Sequence, residues 1–266
     1  VKPLSRLPAT ALPLLVAVIG ALSCDPGPSS GASDSGASAD ARAPFDAGSS
    51  ADSGTSADGG STHGGGEPVA ITGKVSALTV LGAKPLGGAT VEIVGVDPAI
   101  STITGTDGNY SLAVAPGTYF VRASKNQMVS TQVGVITSQS TVVTELSLLS
   151  TSDMDSLART LELNLDQAKG IVVVGFETSD TGGGYKATLS APAETSFALP
   201  EAGWPPKATE STLAGGENAL FFINVMPGTT TLTPTAPSGH SCTEALPMGT
   251  YRIDANVATA ISATCN

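Results

Sequence analysis

Few side chains in this 266-residue chain are suited to chemistry, and they stand far apart. The histidines are His63 and His240; the cysteines are Cys24, Cys242 and Cys265. His240 and Cys242 are near neighbours in sequence, which raises the reading of a thiol nucleophile and its base. Such a pair needs a third group to orient the base, and no orienting acid is obvious. Export would instead make a disulfide between Cys242 and Cys265 the default. No H-E-x-x-H, G-x-S-x-G or phosphate-loop pattern occurs. A catalytic zinc needs three protein ligands, and none can be assembled, so neither a metal nor a cofactor is expected. Asp34, Asp40, Asp46, Asp52 and Asp58 recur with a six-residue period. Calcium loops need oxygens at alternate positions around a Gly turn, which that period does not give. For sugar binding, the side chain to consider is Trp204, in Gly203-Trp204-Pro205-Pro206, since glycan platforms use exposed aromatic faces. The competing reading is a loop anchor packed on the fold. Tyr185 is less suited, being placed at a strand start.

The elements that must position these groups are strands. Ala89, Val91 and Ile93 alternate with Thr90 and Glu92, a period of two. Asp107-Gly108 reverses the chain, and Tyr110, Leu112 and Val114 alternate in turn. Pro116-Gly117 makes the next turn, after which Tyr119 and Val121 point inward. The spacing predicts three antiparallel strands joined by short turns.

Four blocks carry a family resemblance: Gly73-Lys74-Val75, Pro85-Leu86-Gly87-Gly88-Ala89-Thr90-Val91, Thr106-Asp107-Gly108-Asn109-Tyr110 and Pro116-Gly117-Thr118-Tyr119. Over roughly residues 69–148 the chain resembles the carboxypeptidase regulatory-like domain. The resemblance implies a transthyretin-like (prealbumin-like) Greek-key β-sandwich without catalytic residues of its own. It also raises the alternative of an accessory domain in a secreted carboxypeptidase system. Fold alone does not assign activity.

The chain begins with Lys2 and Arg6, an apolar run from Ala11 to Leu22, and small residues before Cys24. That is the pattern of a secretory signal. Ala21-Leu22-Ser23-Cys24 resembles a bacterial lipobox, which implies cleavage before Cys24 and its diacylation, although the family prefers a larger aliphatic where Ala21 stands. Two acyl chains suffice for stable attachment. Residues 25–68 are Gly, Ser, Ala, Asp and little else, too apolar-poor to offset ordering entropy. They read as a disordered tether, similar in composition to those of myxobacterial envelope lipoproteins.

Beyond Leu148 the period changes. Ser152 to Asp155 fits a capping box, and Met154, Leu157, Ala158, Leu161 and Leu165 fall on one helical face, ending near Gly170. The helix either binds a partner or packs on the sandwich and joins two domains. From Ile171 the strand patterns return. Tyr185 to Leu189 parallels Gly88 to Ile93, and Met226-Pro227-Gly228 parallels the turn at Pro116. Residues 191–218 replace a short hairpin with a long Pro-rich excursion, the kind of loop that is often functional or mobile.

The expectation is an all-β chain of two tandem Greek-key β-sandwiches: signal 1–24, tether 25–68, first sandwich 69–149, connector helix 150–169, second and degenerate sandwich 170–266. A formal charge of −11 repels a phosphate backbone, so no nucleic acid partner is expected. The function expected is structural or adhesive display by a monomeric, non-catalytic lipoprotein of the cell envelope, anchored in the outer membrane. Its partners would be the membrane and a glycan or an envelope protein. The rival is weak, starch-binding-like carbohydrate recognition by the 191–218 loop.

Overall fold

The computed structural model describes residues 67–79, 82–138, 140–200 and 205–266. Residues 1–24 with Cys24, all of the tether but Glu67 and Pro68, and Trp204 lie outside these residues.

The first half contributes β1 (Val69–Thr79), β2 (Gly82–Pro85), β3 (Thr90–Ile93), β4 (Ser101–Ile103), β5 (Asn109–Val114), β6 (Gly117–Ser124), β7 (Ser130–Thr137) and β8 (Val142–Leu149). One sheet is centred on β1, with β5 antiparallel on one side and β8 parallel on the other. The second layer runs β7-β6-β3-β4, antiparallel throughout. Between the layers lie Ile71, Val75, Val91, Leu112, Val121 and Leu146. This is a β-sandwich in which inward residues alternate with wet ones, as the period of two requires.

The three alternating blocks do form strands, and β3 and β6 are antiparallel neighbours, but β5, which lies between them in sequence, belongs to the other layer. β5 pairs with β1, whereas β6 pairs with β3 and β7. The turns at Asp107-Gly108 and Pro116-Gly117 thus carry the chain between layers instead of closing hairpins. Local turn chemistry fixes where a chain reverses, and burial of each apolar face decides which strand it meets.

The helix α1 (Thr151–Thr160) is capped two residues earlier than its sequence suggests. Ser150 Oγ accepts from Asp153 N–H at 3.0 Å and donates to the Asp153 carboxylate at 2.6 Å. It also ends earlier than the apolar spacing implies. Glu162 takes φ 57°, and Leu163 N–H returns to Ala158 O while Glu162 N–H returns to Arg159 O. These two bonds form a Schellman stop with Glu where Gly is usual. Leu163 and Leu165 therefore follow as non-helical chain, packed with Met154 and Leu157 on the sheet.

The second half contributes β9 (Gly170–Glu177), β10 (Lys186–Leu189), β11 (Thr195–Ala198), β12 (Lys207–Ala208), β13 (Ala219–Val225), β14 (Gly228–Thr230), β15 (Leu232–Thr235), β16 (Cys242–Glu244), β17 (Tyr251–Ile253) and β18 (Val257–Cys265). Its wiring repeats that of the first. β9 pairs antiparallel with β13 and parallel with β18, as β1 does with β5 and β8. β14 and β15 together take the place of β6, pairing with β17 and β10. A threonine clasp recurs in detail. Gly88 N–H donates to Thr104 O at 3.0 Å, Ala89 N–H to Thr104 Oγ1 at 2.9 Å, and Thr104 N–H to Ala89 O at 2.9 Å. Gly184, Tyr185 and Thr212 make the same three bonds at 2.9, 3.1 and 2.9 Å.

The division expected at the helix parts the sequence but not the hydrogen bonding. β18 lies between β9 and β7, parallel to both, so one ten-stranded sheet runs from β12 through to β4. Its strands β9 and β13 are apolar on both faces. Val172, Val174, Leu220 and Phe222 face the β10–β15 and β14–β17 layer, whereas Ile171, Phe221 and Ile223 face α1 and the chain after it. Continuous apolar strands of this kind mark a sheet covered on both sides. The helix is therefore a packing element, one of the two roles expected of it.

Within the 191–218 excursion lie β11 and β12. β11 pairs with β13 and β12 with β11, extending the long sheet, and Phe197 stacks on Phe221 with ring centroids 4.7 Å apart.

Candidate functional site

Polar side chains converge at two places. The first is at the loop end of the second half. Asp180 sits in a turn where Gly182 N–H donates to its Oδ1 at 2.8 Å. Tyr185, buried by the clasp with Thr212, donates its hydroxyl to Asp180 Oδ2 at 3.2 Å and lies 3.0 Å from Thr178 Oγ1. His240 Nε2 stands 4.0 Å from Asp180 Oδ2, and its Nδ1 is 3.1 Å from Asn266 O. The Gly182 N–H first, then the Tyr185 hydroxyl and the nearby His240, hold the Asp180 carboxyl below its ordinary value of 3.8.

Sequence reasoning missed Asp180, an acid sixty residues away in sequence that the fold sets beside His240. Its signal was the Asp-Thr-Gly-Gly-Gly run, an Asx-turn pattern. The arrangement does not complete a nucleophile–base set. Cys242 is bridged to Cys265, directly opposite it in the β16–β18 register, so it carries no thiol. The Tyr185 hydroxyl is committed to Asp180. What the cluster does is brace the 178–185 loop against the 240–266 segment. The disulfide closes a loop that contributes about 3 kcal/mol in the chain-entropy model.

The second convergence lies on the seam between the halves. Arg122 on β6 donates to Gln132 Oε1 on β7 through Nη2 at 2.7 Å and Nε at 3.2 Å, and pairs with Asp254 before β18. Gln132, fully buried, donates through Nε2 to Arg252 O at 2.9 Å and Thr259 Oγ1 at 3.1 Å. Arg252 Nε in turn holds Asp254 at 2.9 Å. Every buried side-chain N and O among the described residues has a hydrogen-bond partner.

Tyr110 and Tyr119 are structural, as their inward positions suggest. Tyr119 donates to Ala115 O at 2.9 Å, a corner at the layer crossing, and Tyr110 donates to Thr144 O at 2.9 Å. Burial, with Glu145 nearby, pushes the Tyr110 hydroxyl well above its usual range; burial and Glu244 do the same to Tyr251. Beside α1 runs an open groove of about 480 Å³ lined by Ser152, Asp155, Ser156, Arg159, Leu163 and Leu165. Among the described residues no cluster of His, Cys, Asp and Glu could hold a metal, and no helix is long and apolar enough to cross a membrane.

No protein-family model and no curated protein matches the chain. Among solved structures it is similar to a type II cohesin–X-dockerin complex from Acetivibrio cellulolyticus, at 17% identity over 42% of this chain and 77% of that one, TM-score 0.27. It is also similar to the shaft pilin SpaA from Lactobacillus rhamnosus GG, at 11% identity over 75% of this chain and 98% of that one, TM-score 0.24. A third likeness is the minor pilin GBS52 from Streptococcus agalactiae, at 10% identity over 74% of this chain and 95% of that one, TM-score 0.22. Identities and superpositions this low say nothing about what this chain binds.

Proposed function

We propose that the chain is a non-catalytic display module of the cell envelope, exported, cleaved before Cys24 and held to a membrane by acyl chains on that residue. Residues 25–68 are its tether, and the folded head consists of two copies of one transthyretin-like sandwich unit. One observation carries this reading: β18, the last strand, closes a single sheet across both copies. A head welded in this way suits holding a surface at a distance more than opening around a substrate. The disulfide fits an oxidising, extracytoplasmic address.

Labelled palmitate, followed by envelope fractionation, tests the anchor. Label should enter the wild-type chain and be lost in Cys24→Ser, which should leave the membrane fraction. A wild-type chain that takes no label ends this reading. The rival, glycan recognition at the 191–218 loop, predicts specific binding on a glycan array that Trp204→Ala removes.

A further inference from the structure

We propose that two copies of this chain associate edge to edge through β8, antiparallel, with Val143 opposite Val143 of the second copy. The argument begins with which strand edges are filled. In the second half β18 is the counterpart of β8, and its outer edge is covered by β7 at residues 257–260 and by β16 at 263–265. In the first half that edge of β8 is covered, among the described residues, at its end. Ser147 O accepts from Thr131 Oγ1 at 2.9 Å, and Leu149 O accepts from Val129 N–H at 2.9 Å. These two bonds show that odd-numbered residues of β8 turn their main-chain groups away from β1. Val143 and Glu145, with Thr141 just before the strand, therefore direct theirs outward past an edge that no described strand pairs with. All three are exposed, and Val143 is 55% exposed, a large apolar side chain on an open edge.

Such an edge is a template for another strand. Other edges offer less. β4 and β12 are three and two residues long, and β5 presents exposed Ser111 and Ala113 where β8 presents Val143. A head-to-tail array is disfavoured, because the counterpart of β7's paired edge is Leu246-Pro247-Met248, which forms no strand and contains a residue without an N–H. An isologous pair remains. Centred on Val143 it sets Thr141 against Glu145 of the second copy, so no like charges are opposed. Glu145 keeps Lys74 beside it in the β1–β8 register. Both copies are acidic overall, so added salt should tighten the pair.

Sedimentation of the purified full chain up to about 100 μM, a range suited to a small interface, should show a reversible dimer. Val143→Lys should raise its dissociation constant about tenfold or more while leaving the circular dichroism unchanged. Val143→Cys should cross-link to itself on mild oxidation, because directly opposed residues lie about 5.5 Å apart between Cα atoms. A chain monomeric throughout that range overturns the proposal. So does a dimer that Val143→Lys leaves intact and Val143→Cys does not cross-link.

Discussion

Gln132 of β7 and Thr259 of β18 lie on adjacent strands in register, both fully buried, and joined by a 3.1 Å hydrogen bond between Gln132 Nε2 and Thr259 Oγ1. Around that bond Arg122, Arg252 and Asp254 close a network that ties the first sandwich to the last strand. Gln132→Leu removes the acceptor shared by Arg122 Nε and Nη2, leaving the guanidinium its Asp254 partner, and one of the two donors to the Arg252 carbonyl, leaving it the Thr259 hydroxyl. The expected loss is about 1–3 kcal/mol of unfolding free energy in urea, with Thr259→Val costing about 1 kcal/mol. A Gln132→Leu chain as stable as wild type would remove the network from the account.

Gly73 sits between Tyr110 and Thr144 in the β5-β1-β8 register, and the Tyr110 hydroxyl crosses it to reach the Thr144 carbonyl. A methyl at 73 would overlap that carbonyl and press on the hydroxyl. Gly73→Ala should therefore cost about 3 kcal/mol, read as a lowered thermal midpoint. Tyr110→Phe, which loses only the bond, should cost about 1 kcal/mol.

Glu162 holds the left-handed position that ends α1, is exposed, and lies where glycine is favoured. Glu162→Gly should stabilise the chain by about 1 kcal/mol and raise the midpoint by about 2–4 °C. A lowered midpoint would mean the side chain has a contact that matters more than its backbone strain.

The Asp180 carboxyl is held below 3.8 in the folded state. A depressed acid contributes stability that is complete above its unfolded value and is lost as pH falls through the folded one. The advantage of wild type over Asp180→Asn should be full at neutral pH. It should begin to fade below about pH 4 and vanish once the folded carboxyl is protonated. Thermal midpoints of both chains across that range check it; a difference that does not change with pH would contradict the assignment.

Much of the first sandwich was legible because its signals are local. Thr90–Ile93, Asn109–Val114 and Gly117–Ser124 alternate as strands must, and Pro116 and Asp107 punctuate them. The recurrence of Pro-Gly at 227–228, and of Tyr185 to Leu189 after glycines, pointed to a second unit of similar wiring. Partner choice was not legible. Nothing near Val69 announces that β1 will run parallel to β8, and nothing near Val257 announces that β18 will lie between β7 and β9. Those pairings are settled by which apolar faces meet at long range. The helix start was misplaced by two residues because Ser150 and Ser152 both precede an Asp by three, and it is Ser150 that caps. Asn224 carried a signal that went unused: an amide in the run Phe221-Phe222-Ile223-Asn224-Val225. It takes φ 56° at a bulge and binds Asn164 O, Glu194 and Asp166 N–H, fastening the chain after α1 to the sheet.

That β18 joins strands of both halves in one sheet is what the display reading stands on, and native-state hydrogen exchange measures it directly. The slowest amides of β1 and β6 in one half and of β9 and β13 in the other should open at a common free energy, with a common denaturant dependence. Two separate openings, one for each half, would show that the shared sheet does not couple them and would contradict the account.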